Sequence, residues 1–134
     1  MPHVAFYRVV SDTKVLEFPS GGASQELEFK ATGDMVVDES SARPMACFQM
    51  DPSPNKQGMA KAKVELFIRD KFGADRKICG YNLGDSMMRW TMEPFNPEWA
   101  RKGNNEVNKL IFKVDVDAGS LAIRNVVVWF MRDI

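Results

Sequence analysis

Few residues in this 134-residue chain have the type and spacing that a defined chemistry demands. Glu65, Glu93, Asp34, Asp38, Glu39 and Asp85 supply carboxylates for glycoside hydrolysis, a reaction that depends on a separation between two carboxyl groups that sequence does not give. Asp115 and Asp117 flank Val116 like two oxygen ligands from one loop, but the further ligands of a calcium site are not recognisable, so no metal and no cofactor is expected. His3 is the only histidine, which leaves a His-based triad or a multi-histidine metal site without material. Neither GxGxxG nor GxxxxGK[ST] occurs. No catalytic residue is assigned, and a small carboxylate-based enzyme is the least supported reading.

Binding chemistry has more to draw on. A flat aromatic ring buries the C–H face of a pyranose, and arginine forks bond planar or vicinal-diol oxygens. Phe67 stands with Lys63, Glu65 and Arg69 on the polar parity of its segment, where an aromatic among charges suits a ligand or subunit surface. Arg89, Thr91 and Glu93 share the parity opposite Trp90. If their strand lies near the one carrying Glu65, Phe67 and Arg69, a concave face with two guanidinium groups and two carboxylates results; cross-strand ion pairs on a solvated sheet are the competing reading. Trp90 lies on the Met88 and Met92 parity and Trp129 in an apolar run, so both are expected in the core. Trp99 falls in a loop, as a hydrophobic plug or a ligand contact. The candidate ligand-binding set is therefore Glu65, Phe67, Arg69, Tyr81, Arg89 and Trp99.

The elements that must position these residues are strands. Ala62, Val64, Leu66 and Ile68 alternate with Lys63, Glu65, Phe67 and Arg69, which is the period of a half-buried strand. Leu110, Phe112, Val114 and Val116 alternate with charge in the same way within a strand expected over residues 106–116. Residues 121–131 are apolar on both parities, which suits a central strand covered on two sides or shifted by a bulge. Further strands are expected at residues 4–10, 15–18, 25–31, 45–51, 76–83 and 87–93, with a long polar loop at residues 32–44. Residues 94–103 read as a loop with one helical turn near Pro97. Eight or nine short strands without helices to cover a parallel sheet imply one all-β domain over residues 1–134, an antiparallel jelly-roll β-sandwich.

The order of segments adds a resemblance. Phe67-Ile68-Arg69-Asp70, a glycine turn, Cys79-Gly80-Tyr81, Trp90-Thr91-Met92, Phe95-Asn96-Pro97 and Arg101 to Val107 together resemble the galactose-binding-domain-like jelly rolls, which occur as accessory domains of glycoside hydrolases and as carbohydrate-binding modules. The resemblance covers about residues 60–130. It implies a noncatalytic, lectin-like module for carbohydrate. The alternative is a protein-interaction or self-assembling sandwich, because nine methionines exceed what one core needs and flexible thioethers suit protein partners or a homo-oligomer.

Composition narrows the partners. Eighteen basic residues balance eighteen acidic ones without a run of either sign, so the phosphate-neutralising footprint of a nucleic-acid binder is absent. No window approaches a membrane span, and the start lacks a charged leader with an apolar stretch, so a cytoplasmic protein is expected, with unconventional export left open. Cys47 and Cys79 have neither CxxC nor metal spacing and are expected as buried free thiols.

Overall fold

A computed structural model describes the backbone of residues 3–11, 14–31, 43–103 and 106–133 and the side chains of these residues except 3–8 and 132–133. The expected long loop lies mostly at residues 32–42, outside the described residues. The strands are β1 (His3–Ser11), β2 (Leu16–Phe18), β3 (Gly21–Phe29), β4 (Met45–Ser53), β5 (Lys61–Arg69), β6 (Asp75–Leu83), β7 (Arg89–Pro94), β8 (Asn108–Ala118) and β9 (Ser120–Asp133). A 3-10 turn, Pro97–Trp99, starts where Asn96 accepts a hydrogen bond from the Glu98 amide, the helical turn expected near Pro97.

Two antiparallel sheets result. One has the order β1-β9-β4-β7, with β2 also paired to β9; the other has the order β3-β8-β5-β6. The all-β jelly-roll sandwich read from the alternation is the observed architecture. Leu27 and Phe29, Val64, Leu66 and Ile68, and Leu110, Phe112, Val114 and Val116 line the inner face of the second sheet. They meet Phe48 and Met50, Leu121 and Ile123, and Val126, Val128 and Phe130 from the first. Phe48 and Phe112 join the two layers edge to face, 5.2 Å apart at 79°.

Two strands differ from the sequence reading in instructive ways. β3 begins at Gly21 rather than residue 25, because Gly21 takes φ 111 at the entry and Gly22 to Ser24 pair with Asp115 to Lys113 before the first large apolar residue, Leu27, appears. β9 owes its two-sided apolar pattern to a bulge. Cys47 pairs with Val127 but Gln49 with Arg124, so β9 holds one residue more than β4 across this interval. Asn125 carries the extra residue at φ 55, a left-handed conformation that asparagine tolerates. The buried set therefore shifts from Leu121 and Ile123 to Val126, Val128 and Phe130.

The β5–β6 turn is organised by one carboxylate. Asp70 is buried; its Oδ1 accepts from the Phe72 and Ala74 amides at 2.9 Å each, and its Oδ2 accepts from Arg76 Nε at 2.9 Å. The Arg76 guanidinium, then the Ala74 and Phe72 amides, hold its carboxyl below the ordinary aspartate range. A group with a depressed folded pKa stabilises the fold fully above its unfolded value, about 3.9, and that stability is lost as pH falls below it. Denaturation midpoints measured from neutral pH down through this range should fall for the parent protein. Asp70→Asn should start lower and lack this component of the acid slope.

Candidate functional site

The six sequence-predicted residues divide among three places. Glu65, Phe67 and Arg69 lie on the outer face of the β3-β8-β5-β6 sheet, as their parity requires. They are engaged there by neighbours. Lys77 pairs with Glu65 at 3.0 Å, Asp75 and Glu26 pair with Arg69 at 3.1 and 3.6 Å, and Lys113 Nζ sits 4.5 Å from the Phe67 ring centroid. Lys77 first, through its hydrogen bond, lowers the Glu65 pKa, with Lys63 and Lys113 adding to the effect. The cross-strand ion-pair reading describes this face. Beside it, where β3 is built of Gly22, Ala23 and Ser24, a trough of about 410 Å³ opens between Lys63, Glu65, Lys113 and Asp115. Asp115 and Asp117 are on this strand surface and not on a loop, and no group of three or more His, Cys, Asp or Glu residues among the described ones is placed to hold a metal ion.

Trp99 is at one end of the sandwich. It packs partly on the core and lines a cavity of about 210 Å³ with Asp70, Lys71, Phe72, Arg76 and Glu98. Phe72, at the hairpin tip, is 82% exposed.

Tyr81 and Arg89 belong to the two edge strands that face each other across the sandwich. Among the described residues β7 pairs only with β4 and β6 only with β5, so β7 and β5 are in different sheets and form no common concave face. The expected parity of β7 is also reversed. Thr91 and Glu93 pair with the buried Phe48 and Ala46 and so face inward, whereas Trp90 and Met92 face solvent at 57% and 60% exposure. Tyr81, opposite the buried Val64, points inward from β6, and its hydroxyl bonds Thr91 Oγ1 and Glu93 Oε1. This hydroxyl holds the polar side of β7 against the core. Arg89 is drawn instead to Asp85 at 2.8 Å, which raises the arginine pKa and lowers that of the aspartate. Cys79 is on the same inner face as Tyr81; burial, and then the Glu93 carboxylate, push its thiol up to about 12, so it stays protonated and unreactive at neutral pH. Both cysteines are free, as expected, although only Cys47 is fully buried and Cys79 is partly exposed. Tyr81→Phe should cost about 1–2 kcal/mol in chemical denaturation by removing the hydroxyl that donates to Glu93 and pairs with the Thr91 hydroxyl. It should also speed hydrogen exchange in β7 more than in β8.

An inverted edge strand, polar inside and apolar outside, makes the outer face of the β1-β9-β4-β7 sheet the most chemically distinctive surface. Its residues fall in rows set by the register. Trp129, Met45 and Pro94 form one; Val9, Val127, Cys47 and Met92 the next; Arg124, Gln49 and Trp90 the third. Trp129 is 37% exposed, so the expectation that it and Trp90 fill the core is overturned. Inner positions on β9 and β4 are already filled by Val126, Val128, Phe48 and Ala46, leaving both indoles on the other side of the pleat. The bulge at Asn125 turns polar groups onto the same face. Asn125 Nδ2 donates to Gln49 Oε1 at 3.0 Å, Gln49 Nε2 donates to Asp51 Oδ2 at 2.9 Å, and Arg124 Nε is 2.9 Å from the same Asp51 oxygen. Trp90 thus stands one strand away from an ordered cluster of amide, carboxylate and guanidinium groups. Sequence periodicity missed this face because Met88, Trp90 and Met92 on alternate positions read as a buried stripe.

No protein-family model and no curated sequence matches the chain. Solved structures do match at the level of fold. Dimeric latent PorU from Porphyromonas gingivalis gives a TM-score of 0.59 at 9% identity, over 99% of this chain and 13% of PorU. A structure of infectious bursal disease virus, Gx strain, gives 0.53 at 10% identity, over 98% of this chain and 38% of the viral chain. The xylan-binding module CBM15 gives 0.51 at 10% identity, over 95% of this chain and 97% of the module. The chain spans a small part of the first two and nearly the whole of the third. The class defined is the jelly-roll β-sandwich, a fold that this chain shares with the xylan-binding module CBM15, as the segment order suggested.

Proposed function

We propose that this protein is a noncatalytic carbohydrate-binding module whose ligand lies on the outer face of the β1-β9-β4-β7 sheet. The observation that carries the reading is the exposure of Trp90 beside the Gln49, Asp51, Arg124 and Asn125 cluster. Leaving much of an indole in water forgoes on the order of 2 kcal/mol of burial. A pyranose stacked on the ring recovers part of that, while its hydroxyls exchange water for fixed donors and acceptors. The fold shared with a xylan-binding module supports the same reading. The experiment is a glycan array on the purified protein with a denatured control. Saturable binding to one sugar family is the expected result; a blank array moves the weight to the second reading.

That reading is a protein-interaction surface, favoured by one specific observation. Met59, Met87, Met88 and Met92 are exposed, and flexible thioethers adapt to protein partners. Light scattering across a concentration series separates self-association from glycan binding, since only the former changes the mass of the ligand-free protein.

A further inference from the structure

Methionine is distributed in a way that core packing does not explain. Among the described residues Met50 alone of the methionines is buried, while Met45 and Met92 share the outer face of the first sheet with Cys47. The register gathers three of these sulfur side chains. Cys47 is directly opposite Met92, which places their Cβ atoms about 4.5–5.5 Å apart. Met45 precedes Cys47 by two residues on the same face of β4, about 7 Å along the strand. Val127 closes the other side of Cys47, and Trp90 precedes Met92 by two residues along β7 on the same face.

We propose that Cys47, Met45 and Met92 form a site for copper(I) on the outer face of the β1-β9-β4-β7 sheet. One thiolate and two thioethers are a soft donor set, which selects copper(I) over zinc, calcium or magnesium. Charge favours the same ion. Cys47 is 7% exposed, so an isolated thiolate is costly there. A monovalent cation bound to one thiolate leaves the site neutral. Binding replaces the S–H bond by an S–Cu bond and releases the proton to solvent, with no change in oxidation state. Cys79 does not compete, because its thiol is held on the inner face of the other sheet beside Glu93.

The test is an anaerobic titration of copper(I) against a chromogenic chelator, with silver(I) as a redox-inert probe, on the parent protein, Cys47→Ser, Cys79→Ser and a Met45→Leu/Met92→Leu double variant. Leucine keeps methionine's volume, so the double variant tests ligation in a folded protein. The parent and Cys79→Ser should bind one equivalent. Cys47→Ser should lose affinity by about 100-fold or more, and the double variant by about tenfold or more. Equal binding by Cys47→Ser, equal binding by the double variant, or no parent binding above the chelator would each overturn the site. These readings are independent of any sugar, so a blank glycan array leaves the copper result decisive.

Discussion

Trp90→Ala should weaken glycan binding by about 30-fold, or roughly 2 kcal/mol, while changing folding stability by no more than about 0.5 kcal/mol. The separation follows from geometry. The indole is largely in water, on an edge strand whose attachment comes from its pairing with β4 and from Tyr81 on its inner side, so truncation removes ligand contact without opening the core. Trp129→Ala should act in the same direction with a smaller effect, since that ring is less exposed. Phe67→Ala, on the opposite sheet and beneath Lys113, should leave binding unchanged. Isothermal titration calorimetry with a sugar identified on the array, alongside thermal melts, reads both quantities. Parent-like binding by Trp90→Ala with loss in Phe67→Ala or Trp99→Ala would move the ligand to the charged sheet face or the loop end.

Phe48→Ala carries the largest expected stability effect. Its ring is fully buried on β4 and meets Phe112 of β8 edge to face, so it bridges the two sheets at the middle of the core. Truncation removes the ring's transfer free energy and leaves a cavity that strands fixed in hydrogen-bonded register cannot collapse into, for about 3–5 kcal/mol. Against a total of about 5–15 kcal/mol, that is a large share of the stability of the fold, and the melting temperature should drop by about 10–20 °C. Phe72→Ala is the matched control: the same residue type at an exposed hairpin tip should shift the melt little. A small effect from Phe48→Ala in chemical denaturation would mean that the two sheets are not packed through this ring pair.

What the sequence alone determined is the sandwich and the assignment of the strands that cross its middle. β5 and β8 pair with neighbours on both sides and have one face against the core, so Val64, Leu66 and Ile68, and Leu110, Phe112 and Val114, alternate with charge everywhere except at Phe67 and Ile111, which pair with each other on the outer face. Alternation is the physical record of one dry face and one wet one, and it needs no knowledge of the partner strands. Even the bulge in β9 left a trace, an apolar run on both parities, although only pairing with β4 showed that Asn125 carries the extra residue.

The tertiary structure decided the facing of β7 and, with it, the candidate site. Hydropathy assigns apolar residues inward, but β7 is an edge strand whose inner positions meet the Tyr81 hydroxyl, so Thr91 and Glu93 are satisfied inside and Trp90 and Met92 are left in water. A strand's period is written in its own residues, whereas which of its two faces turns inward depends on hydrogen bonds to the hydroxyl of a residue ten to twelve positions away. The same holds for the sheet partition: Arg89 and Arg69 share a residue type and an apparent polar parity, and only the strand order shows that they belong to opposite sheets.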